Sequence, residues 1–247
     1  MNSFNIAITT FSKRFEYITT LIPQIRSFVD NKIFLIINGE KNGNFNEEYR
    51  VNVLKLCASY ENVFPVFFVE TRGLSKLWNT AIIMSEVNDI LILNDDISIN
   101  TNEIFEKTIS HINSTIYSGL TKINGSFSHF IVNKPMLDKI GYFDERLLGF
   151  GEEDGDITYR LGKEKIPVNQ FFTNGVINIV SDIRHDYIKP GIGKYSSFNR
   201  NFIYNDKYVP NLSSQHKGMF DTPMDQRLED KNQYPYESFF MENKEKL

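Results

Sequence analysis

The N-terminal part of the chain contains short apolar runs typical of strands. The segments between these runs have apolar residues at the spacing of a helix. The segments between the β-type runs place apolar side chains every three or four residues, as "LSKLWNTAIIMSE" does. Four short runs are typical of buried strands: "FNIAITTF", "KIFLIING", "VFPVFFVE" and "DILILND". The first helical segment has its apolar residues at Phe15, Ile18, Ile22, Ile25 and Val29. Because strands and helices alternate, we predict βαβ units and an α/β fold with a largely parallel sheet covered on both faces.

The pattern is less regular beyond residue 100. It predicts helices in "NEIFEKTISHI" and "DITYRLGKEK", a strand in "GSFSHFIVN", a helix and turn in "KPMLDKIGYFDERL", and one or two strands in "NGVINIVSDIRHD". From about Tyr195 the chain is polar and aromatic. A length of 247 residues fits one α/β domain with an appended segment. We therefore predict a domain over residues 1–194, divided near residue 100, and an extension over 195–247 that packs on it or is partly mobile.

Composition excludes several classes of protein. The formal net charge is −4 and no Lys/Arg-rich block occurs, so the sequence lacks the basic surface of a nucleic-acid-binding protein. No apolar run approaches the roughly 18 residues of a membrane span, and "MNSFNIAITTF" lacks the features of a signal peptide, which predicts a cytoplasmic protein. The single cysteine, Cys57, shares a helical stripe with Tyr49, Val53, Leu56 and Tyr60 and is predicted to be a core residue.

Polar residues follow each of the four predicted strands, where parallel sheets place their ligands. The segments are "TTFSKR", "NGE", "TRG" and "NDD". In the last, Asn94, Asp95 and Asp96 supply hard oxygen ligands of the kind that suits Mg²⁺ or Mn²⁺, ions that can bridge protein carboxylates and a diphosphate. A turn or a helix cap is the competing interpretation, because Asn and Asp favour both.

The densest acidic cluster lies in "GFGEEDGDITYRL", residues 149–161. Asp154 and Asp156 could cap the helix that follows, where negative charge meets the positive end of the helix dipole. Three consecutive acids, Glu152, Glu153 and Asp154, repel one another, so they need a cation or raise at least one pKa. A carboxyl group with a raised pKa is a natural general base.

His185, in "DIRHD", follows an apolar β-type run and precedes "DYIKPGIGKY", which is typical of a mobile loop. That position makes it a candidate ligand. The remaining histidines are predicted to be structural or surface residues: His111, His129 and His216.

Taken in order, "TTFSKR", "NDD", "GYFDERLLGFGEEDGDITYRL" and "IRH" resemble the catalytic domains of GT-A nucleotide-sugar glycosyltransferases. Around the acidic cluster the sequence is most similar to the β-1,4-galactosyltransferase type and to bacterial family-2-like enzymes. The resemblance covers roughly residues 4–190, and "GFGEEDGD" is its most specific part. It implies a Rossmann-like GT-A fold, with a mixed, mainly parallel central sheet. It also implies a nucleotide-binding half over residues 1–100 and an acceptor and catalytic half over 101–194.

The resemblance also implies a role for each matching residue. Asp96 and His185 would bind Mn²⁺ or Mg²⁺, although Asn94 replaces the first acid of the family's motif. Asp154 would be the catalytic base, with Glu153 beside it. The nucleotide is expected to contact Thr9, Thr10, Phe11, Arg14, Asn38, Arg72, Lys76 and Asp95. The acceptor is expected to contact Phe150, Gly151 and Glu152.

The function implied is a metal-dependent, inverting hexosyl transfer from a nucleotide-diphosphate donor, a UDP-sugar, to a hydroxyl of a glycan or lipid-linked acceptor. The implied setting is cytoplasmic polysaccharide biosynthesis, including peripheral contact with the inner face of the membrane, and the oligomeric state is open. A sugar nucleotidyltransferase should have a Gly-rich loop after the first strand, which "ITTFSKRFEY" lacks. A haloacid-dehalogenase-type phosphatase should carry its acidic pair after the first strand. A nucleotide-sugar-binding protein without transfer activity could keep the fold and lose the base, but Asp154 is present.

Overall fold

The structure is a computed structural model that describes residues 4–11, 14–40, 45–179 and 192–208. The strands are β1 (Phe4–Phe11), β2 (Ile33–Asn38), β3 (Val63–Phe67), β4 (Asp89–Asn94), β5 (Ile97–Ile99), β6 (Leu120–Ile123), β7 (Ser126–Asn133), β8 (Asn169–Phe171) and β9 (Val176–Asn178). The helices are α1 (Phe15–Arg26), α2 (Glu47–Ala58), α3 (Leu74–Met84), α4 (Glu103–Ile112), α5 (Lys134–Ile140), α6 (Glu153–Lys163) and α7 (Ile192–Asn201). A π-helical segment, Phe202–Lys207, follows α7.

The main sheet has the strand order β3-β2-β1-β4-β7-β6-β8 among the described residues. Strands β1 to β4 pair in parallel, β7 is antiparallel to both β4 and β6, and β8 is parallel to β6. Strands β5 and β9 form a separate antiparallel pair. Residues 33–37 of β2 and 90–93 of β4 are apolar without interruption because both faces of these strands are buried. The prediction of a mixed, mainly parallel sheet is confirmed.

A tight hairpin reverses the chain between β6 and β7. Asn124 has a φ of 52° and Gly125 a φ of 74°, and Ile123 pairs with Ser126. Positive φ at both central residues is the requirement of a type I′ turn, which Asn-Gly satisfies best. This turn makes β7 antiparallel to β6.

The core confirms the interpretation of Cys57, which is buried beside Tyr49 and Val53 on α2. Burial raises the pKa of the Cys57 thiol to about 11, so it is protonated and unreactive at neutral pH. The predicted first helix was too long, because α1 ends at Arg26. Val29 nevertheless packs against the core from the turn after the helix.

The chain divides into two compact units. The described residues of the first unit fall within 4–71, 80–134 and 168–179, and they include the whole sheet. Those of the second unit are 72–79, 135–167 and 192–208. The predicted division near residue 100 and the predicted boundary at residue 194 stay predictions.

The second unit has its own small core. Leu147 packs against Phe202 and Ile203 of the π-helical segment. Lys207 and Asp156 are also buried there, with an ion pair of 2.7 Å between them. No helix within the described ranges is both long enough and apolar enough to cross a bilayer.

Candidate active site

In the first unit, polar side chains meet at the carboxyl ends of β1 and β4. These strands are parallel neighbours, so Thr10 and Asp95 come together just beyond the paired residues. Asp95 is only 1% exposed; its Oδ2 accepts a hydrogen bond from the Thr10 hydroxyl at 2.7 Å, and its Oδ1 lies 2.5 Å from Nη1 of Arg14. Burial raises the pKa of Asp95 to about 6, against the opposing effect of the Arg14 charge. Asp95 is therefore an internal anchor for Arg14.

The guanidinium of Arg14 lies 5.6 Å from the ring centre of Phe11 and 5.7 Å from that of Tyr17, within the range of cation–π contacts. Its Nη1 is also 3.8 Å from Oδ2 of Asp96. The Asp96 side chain is 21% exposed, in contrast to Asp95. Of the two acids, Asp96 is the one that a ligand can reach.

The other residues predicted to bind a nucleotide in this unit occupy different positions. Phe11 ends β1 and pairs in register with Asn38 at the end of β2, so both lie at the same edge of the sheet as Thr10. The side-chain oxygen of Asn38 accepts a hydrogen bond from the Gly39 N–H at 3.0 Å. Thr9 is buried within β1, and the alternation of side chains along a strand directs it to the face opposite Thr10. The structure therefore does not bring Thr9 to this group.

His129, which the sequence predicted to be a structural or surface residue, is buried near Asp96. It lies on β7 opposite Leu93 of β4, is 1% exposed, and has no hydrogen-bond partner for either ring nitrogen among the described residues. Burial lowers the pKa of His129 to about 4, although the negative charge of Asp96 opposes that shift. Its place among the apolar residues of "FSHFIV" was the only signal that it is internal.

Two residues predicted to bind the nucleotide, Arg72 and Lys76, belong to the second unit. Nζ of Lys76 lies 3.0 Å from Oε2 of Glu145, and Asn79 donates a hydrogen bond to the other carboxylate oxygen at 3.0 Å. Burial raises the pKa of Glu145, and Lys76 counteracts that effect. Lys76 thus compensates a buried acid in this structure.

The acidic cluster begins in a loop with left-handed backbone. Gly149 has a φ of 57°, Gly151 a φ of 110° and Glu152 a φ of 76°, and α6 starts at the next residue, Glu153. Glycine adopts these angles without strain, whereas a glutamate in this region costs roughly 1–3 kcal/mol. The predicted acceptor residues Phe150, Gly151 and Glu152 all lie in this loop.

Glu153, Asp154 and Asp156 occupy three different environments on the first turns of α6. Glu153 is buried, with no side-chain donor in reach among the described residues. Burial raises the pKa of Glu153 to about 8; nearby backbone N–H groups oppose the shift, and the charge of Asp154 adds to it. Glu153 is therefore mostly protonated at neutral pH. Burial is the main cause, whereas the sequence had suggested that crowding of like charges would raise a pKa in the cluster.

Asp154 is exposed, and its Oδ1 accepts a hydrogen bond from the Gly155 N–H at 2.9 Å. Asp156 is buried and pairs with Arg160 at 2.9 Å and with Lys207 at 2.7 Å. Asp156 therefore forms ion pairs and does not act as the helix cap that the sequence suggested. Of these three residues, Asp154 alone is exposed, and it neighbours a carboxyl group, Glu153, that is mostly protonated at neutral pH.

The predicted metal ligand His185 lies outside the described residues. Within the described ranges, no three His, Cys, Asp or Glu side chains come together as a metal-binding group. Mg²⁺ and Mn²⁺ are commonly held by one or two carboxylates together with phosphate oxygens of the substrate. The accessible carboxylate of Asp96 fits that mode of binding.

Comparisons with protein-family models and with curated protein sequences gave no match. Among solved structures, the mannosyltransferase PcManGT from Pyrobaculum calidifontis, in complex with GDP-Man and Mn²⁺, matches with a TM-score of 0.61 and 8% identity, over 81% of this chain and 65% of that chain. GalNAc-T7 with UDP, GalNAc and Mn²⁺ matches with a TM-score of 0.53 and 8% identity, over 71% of this chain and 43% of that chain. The chain has the GT-A fold.

The β1,4-galactosyltransferase 7 of Drosophila also overlaps, with a TM-score of 0.48 and 13% identity, over 74% of each chain. The chain spans less than two thirds of the lengths of PcManGT and GalNAc-T7. The fold predicted from the ordered motifs is confirmed.

Proposed function

We propose that this chain is a metal-dependent nucleotide-sugar glycosyltransferase. It moves a hexose from a nucleotide-diphosphate donor, a UDP-sugar, to a hydroxyl of a glycan or lipid-linked acceptor, with inversion at the anomeric carbon. The observation that carries the proposal is the pair at the start of α6, where the exposed carboxylate of Asp154 lies beside the buried, protonated Glu153.

Asp154 takes the role of general base. Its carboxylate is open to solvent, so an acceptor hydroxyl can reach it and give up its proton as the oxygen attacks the sugar. Such catalysis contributes typically about 10²–10⁴-fold to the rate. Glu153, as a buried neutral acid, adds no second negative charge beside the base.

The first unit supplies the donor side of the proposal. Asp96, with His185, is assigned to the metal ion, which neutralises charge on a diphosphate leaving group when it is bound. Asp95 fixes Arg14, and Thr10, Phe11 and the residues around Asn38 line the sheet edge at which the nucleotide is expected. A single displacement at the anomeric carbon inverts its configuration.

The similar structures support a nucleotide-sugar donor, and which nucleotide sugar it is forms part of the proposal. PcManGT was solved with GDP-Man and GalNAc-T7 with UDP and GalNAc, both with Mn²⁺. We assign UDP to this chain and place it in cytoplasmic glycan assembly, including the inner face of the membrane. Its one cysteine is a buried thiol, which is compatible with a reducing compartment.

Calorimetric titration of the protein with UDP, in the presence of Mn²⁺ and again after chelation, tests the two acidic sites separately. Asp96→Ala should weaken metal-dependent UDP binding at least about 10-fold, because it removes the accessible carboxylate ligand. Asp154→Asn should bind UDP as the wild type does, because Asp154 is assigned to the acceptor hydroxyl and asparagine keeps the size of the side chain. Asp30→Asn, at an exposed acid of the first unit, is the matched control. UDP binding that is equally strong after chelation would remove the metal from the mechanism.

A further inference from the structure

Asn199, near the end of α7, makes three hydrogen bonds to the loop of residues 148–152. Its side chain is fully buried. Its Oδ1 accepts from the Leu148 N–H at 2.8 Å, and its Nδ2 donates to the carbonyls of Leu148 at 2.9 Å and Gly151 at 2.8 Å. Only this orientation of the amide places its oxygen against the backbone N–H and its NH₂ group against the two carbonyl oxygens. A single side chain thus fixes positions 148 and 151 of the loop that precedes α6.

The loop needs such support from outside. Residues 149, 151 and 152 all have left-handed backbone angles, and Glu152 precedes α6 without a side-chain capping hydrogen bond. The Glu152 carboxylate instead accepts from Arg200, at 2.9 Å from Nη2 and 3.3 Å from Nε. Because Arg200 is 61% exposed, this ion pair is weak. The buried amide of Asn199 is the stronger of the two restraints from α7.

A second contact holds the middle of the loop. The backbone N–H of Leu74, at the start of α3, donates to the carbonyl of Gly149 at 2.7 Å. Asn199 fixes the residues on either side of that contact, at positions 148 and 151. The first residue after the loop is Glu153, so the loop conformation determines where α6 begins and how its first turn is oriented.

We propose that Asn199 is a positioning residue for catalysis: it holds the 148–152 loop so that Asp154, on the first turn of α6, is presented to the acceptor. This inference rests on the proposed function. It also gives α7 a role in positioning the start of α6. The polar sequence of that segment had predicted only an extension. Errors of about 1 Å in the placement of reacting groups can lower rates about 10²-fold, so a loosened loop should reduce turnover.

The test compares Asn199→Asp with Asn201→Asp in the full chain. Aspartate at 199 keeps the acceptor for the Leu148 N–H but removes both donated hydrogen bonds and faces two carbonyl oxygens. Asn201 is exposed at the end of the same helix, so the same substitution there is a matched control. Hydrogen exchange of residues 148–154 and steady-state kinetics per folded molecule are measured for both variants.

We expect Asn199→Asp to increase amide exchange in the loop and to lower kcat about 10- to 100-fold. The KM for the donor should stay within about 3-fold, and Asn201→Asp should match the wild type. Unchanged amide exchange in Asn199→Asp would show that Asn199 does not hold the loop. Faster exchange with an unchanged kcat would overturn the positioning role. Failure of the proposed function would be visible separately, as a wild-type protein without transfer activity, and would remove the catalytic role of Asn199 with it.

Discussion

Three consecutive acidic residues, Glu152, Glu153 and Asp154, lie at the start of α6 in three different surroundings. Glu152 pairs with Arg200, Glu153 is buried, and Asp154 is open to solvent. The charge repulsion among them is relieved because burial keeps a proton on the middle residue at neutral pH. At the residue scale, the local environment of each carboxyl decides its chemistry.

Glu153→Gln should change how stability depends on pH. The pKa of Glu153 is about 8 in the folded chain, against a usual value of 4.5. The unfolded chain loses this proton near pH 4.5 and the folded chain near pH 8, so the wild type loses stability as pH rises across that window. Glutamine has no proton to lose, so the variant should be more stable than the wild type above pH 8, by on the order of 4 kcal/mol.

Urea unfolding at pH 5, 6.5 and 8.5 measures this difference. The control is Glu48→Gln, at an exposed acid in the first turn of α2, which should leave the pH profile unchanged. Parallel profiles for Glu153→Gln and the wild type would show that Glu153 ionises normally.

Part of this site was predictable from the residues alone. Crowding of like charges indicated that one pKa is raised, but it could not indicate which, because the left-handed loop decides which side chain points inward. Arg14 and Lys76 were predicted as nucleotide ligands, and each proves to be paired with an internal acid, Asp95 or Glu145. Long-range ion pairs leave no pattern in the sequence, so these contacts could not be predicted.

At the scale of elements, the long periodic segments were predictable and the shortest strands were not. Strands β5 and β8 have three residues each, too few to show a period. The dipeptide Asn124-Gly125 did carry a hairpin signal, and it would have predicted both β6 and the antiparallel direction of β7. Hydrophobic alternation alone cannot give the direction of a strand.

Gly39, just after β2, should not tolerate a side chain. A Cβ at this position would lie 2.4 Å from the carbonyl carbon and oxygen of Glu70, within the backbone bridge that joins Glu40 to Glu70. Gly39→Ala should lower the free energy of unfolding by about 1–3 kcal/mol, because the strand ends must separate. Gly162→Ala, in open space on α6, should instead be neutral or stabilise by about 0.5–1 kcal/mol. Thermal unfolding checks both, and equal melting temperatures would contradict the close approach.

Lys207 joins the π-helical segment to the rest of the second unit. It is fully buried, with its Nζ 2.7 Å from Oδ2 of Asp144 and 2.7 Å from Oδ1 of Asp156. Lys207→Met should cost about 3–5 kcal/mol, because it leaves buried carboxylate charge without its shared partner. Lys139→Met is the matched control: its ion pair with Glu164 is 3.9 Å long and 57% of its side chain is exposed, so its loss should cost under about 1 kcal/mol. Similar unfolding midpoints for the two variants in urea would show that the Lys207 contacts do not stabilise the fold.

For the whole molecule, the order of motifs along the chain predicted the fold more reliably than any single motif did. The GT-A fold followed from four short segments in sequence, and solved structures with that fold match the chain at 8% identity. The segment 192–208 was not predictable in the same way. Its buried residues Asn199 and Lys207 are polar, and isolated polar residues that are buried through hydrogen bonds or ion pairs have no hydrophobic period.

The central claim is transfer of a sugar from a nucleotide donor, and product analysis tests it most directly. The full chain is incubated with Mn²⁺, a panel of nucleotide sugars and glycan acceptors, and products are identified by mass spectrometry alongside Asp154→Asn and Asp96→Ala. The account predicts one donor, a UDP-sugar, that yields an acceptor heavier by one hexose and free UDP. It also predicts a loss of about 10²–10⁴-fold in Asp154→Asn. Absence of product with every donor, or near-full turnover by Asp154→Asn, would contradict it.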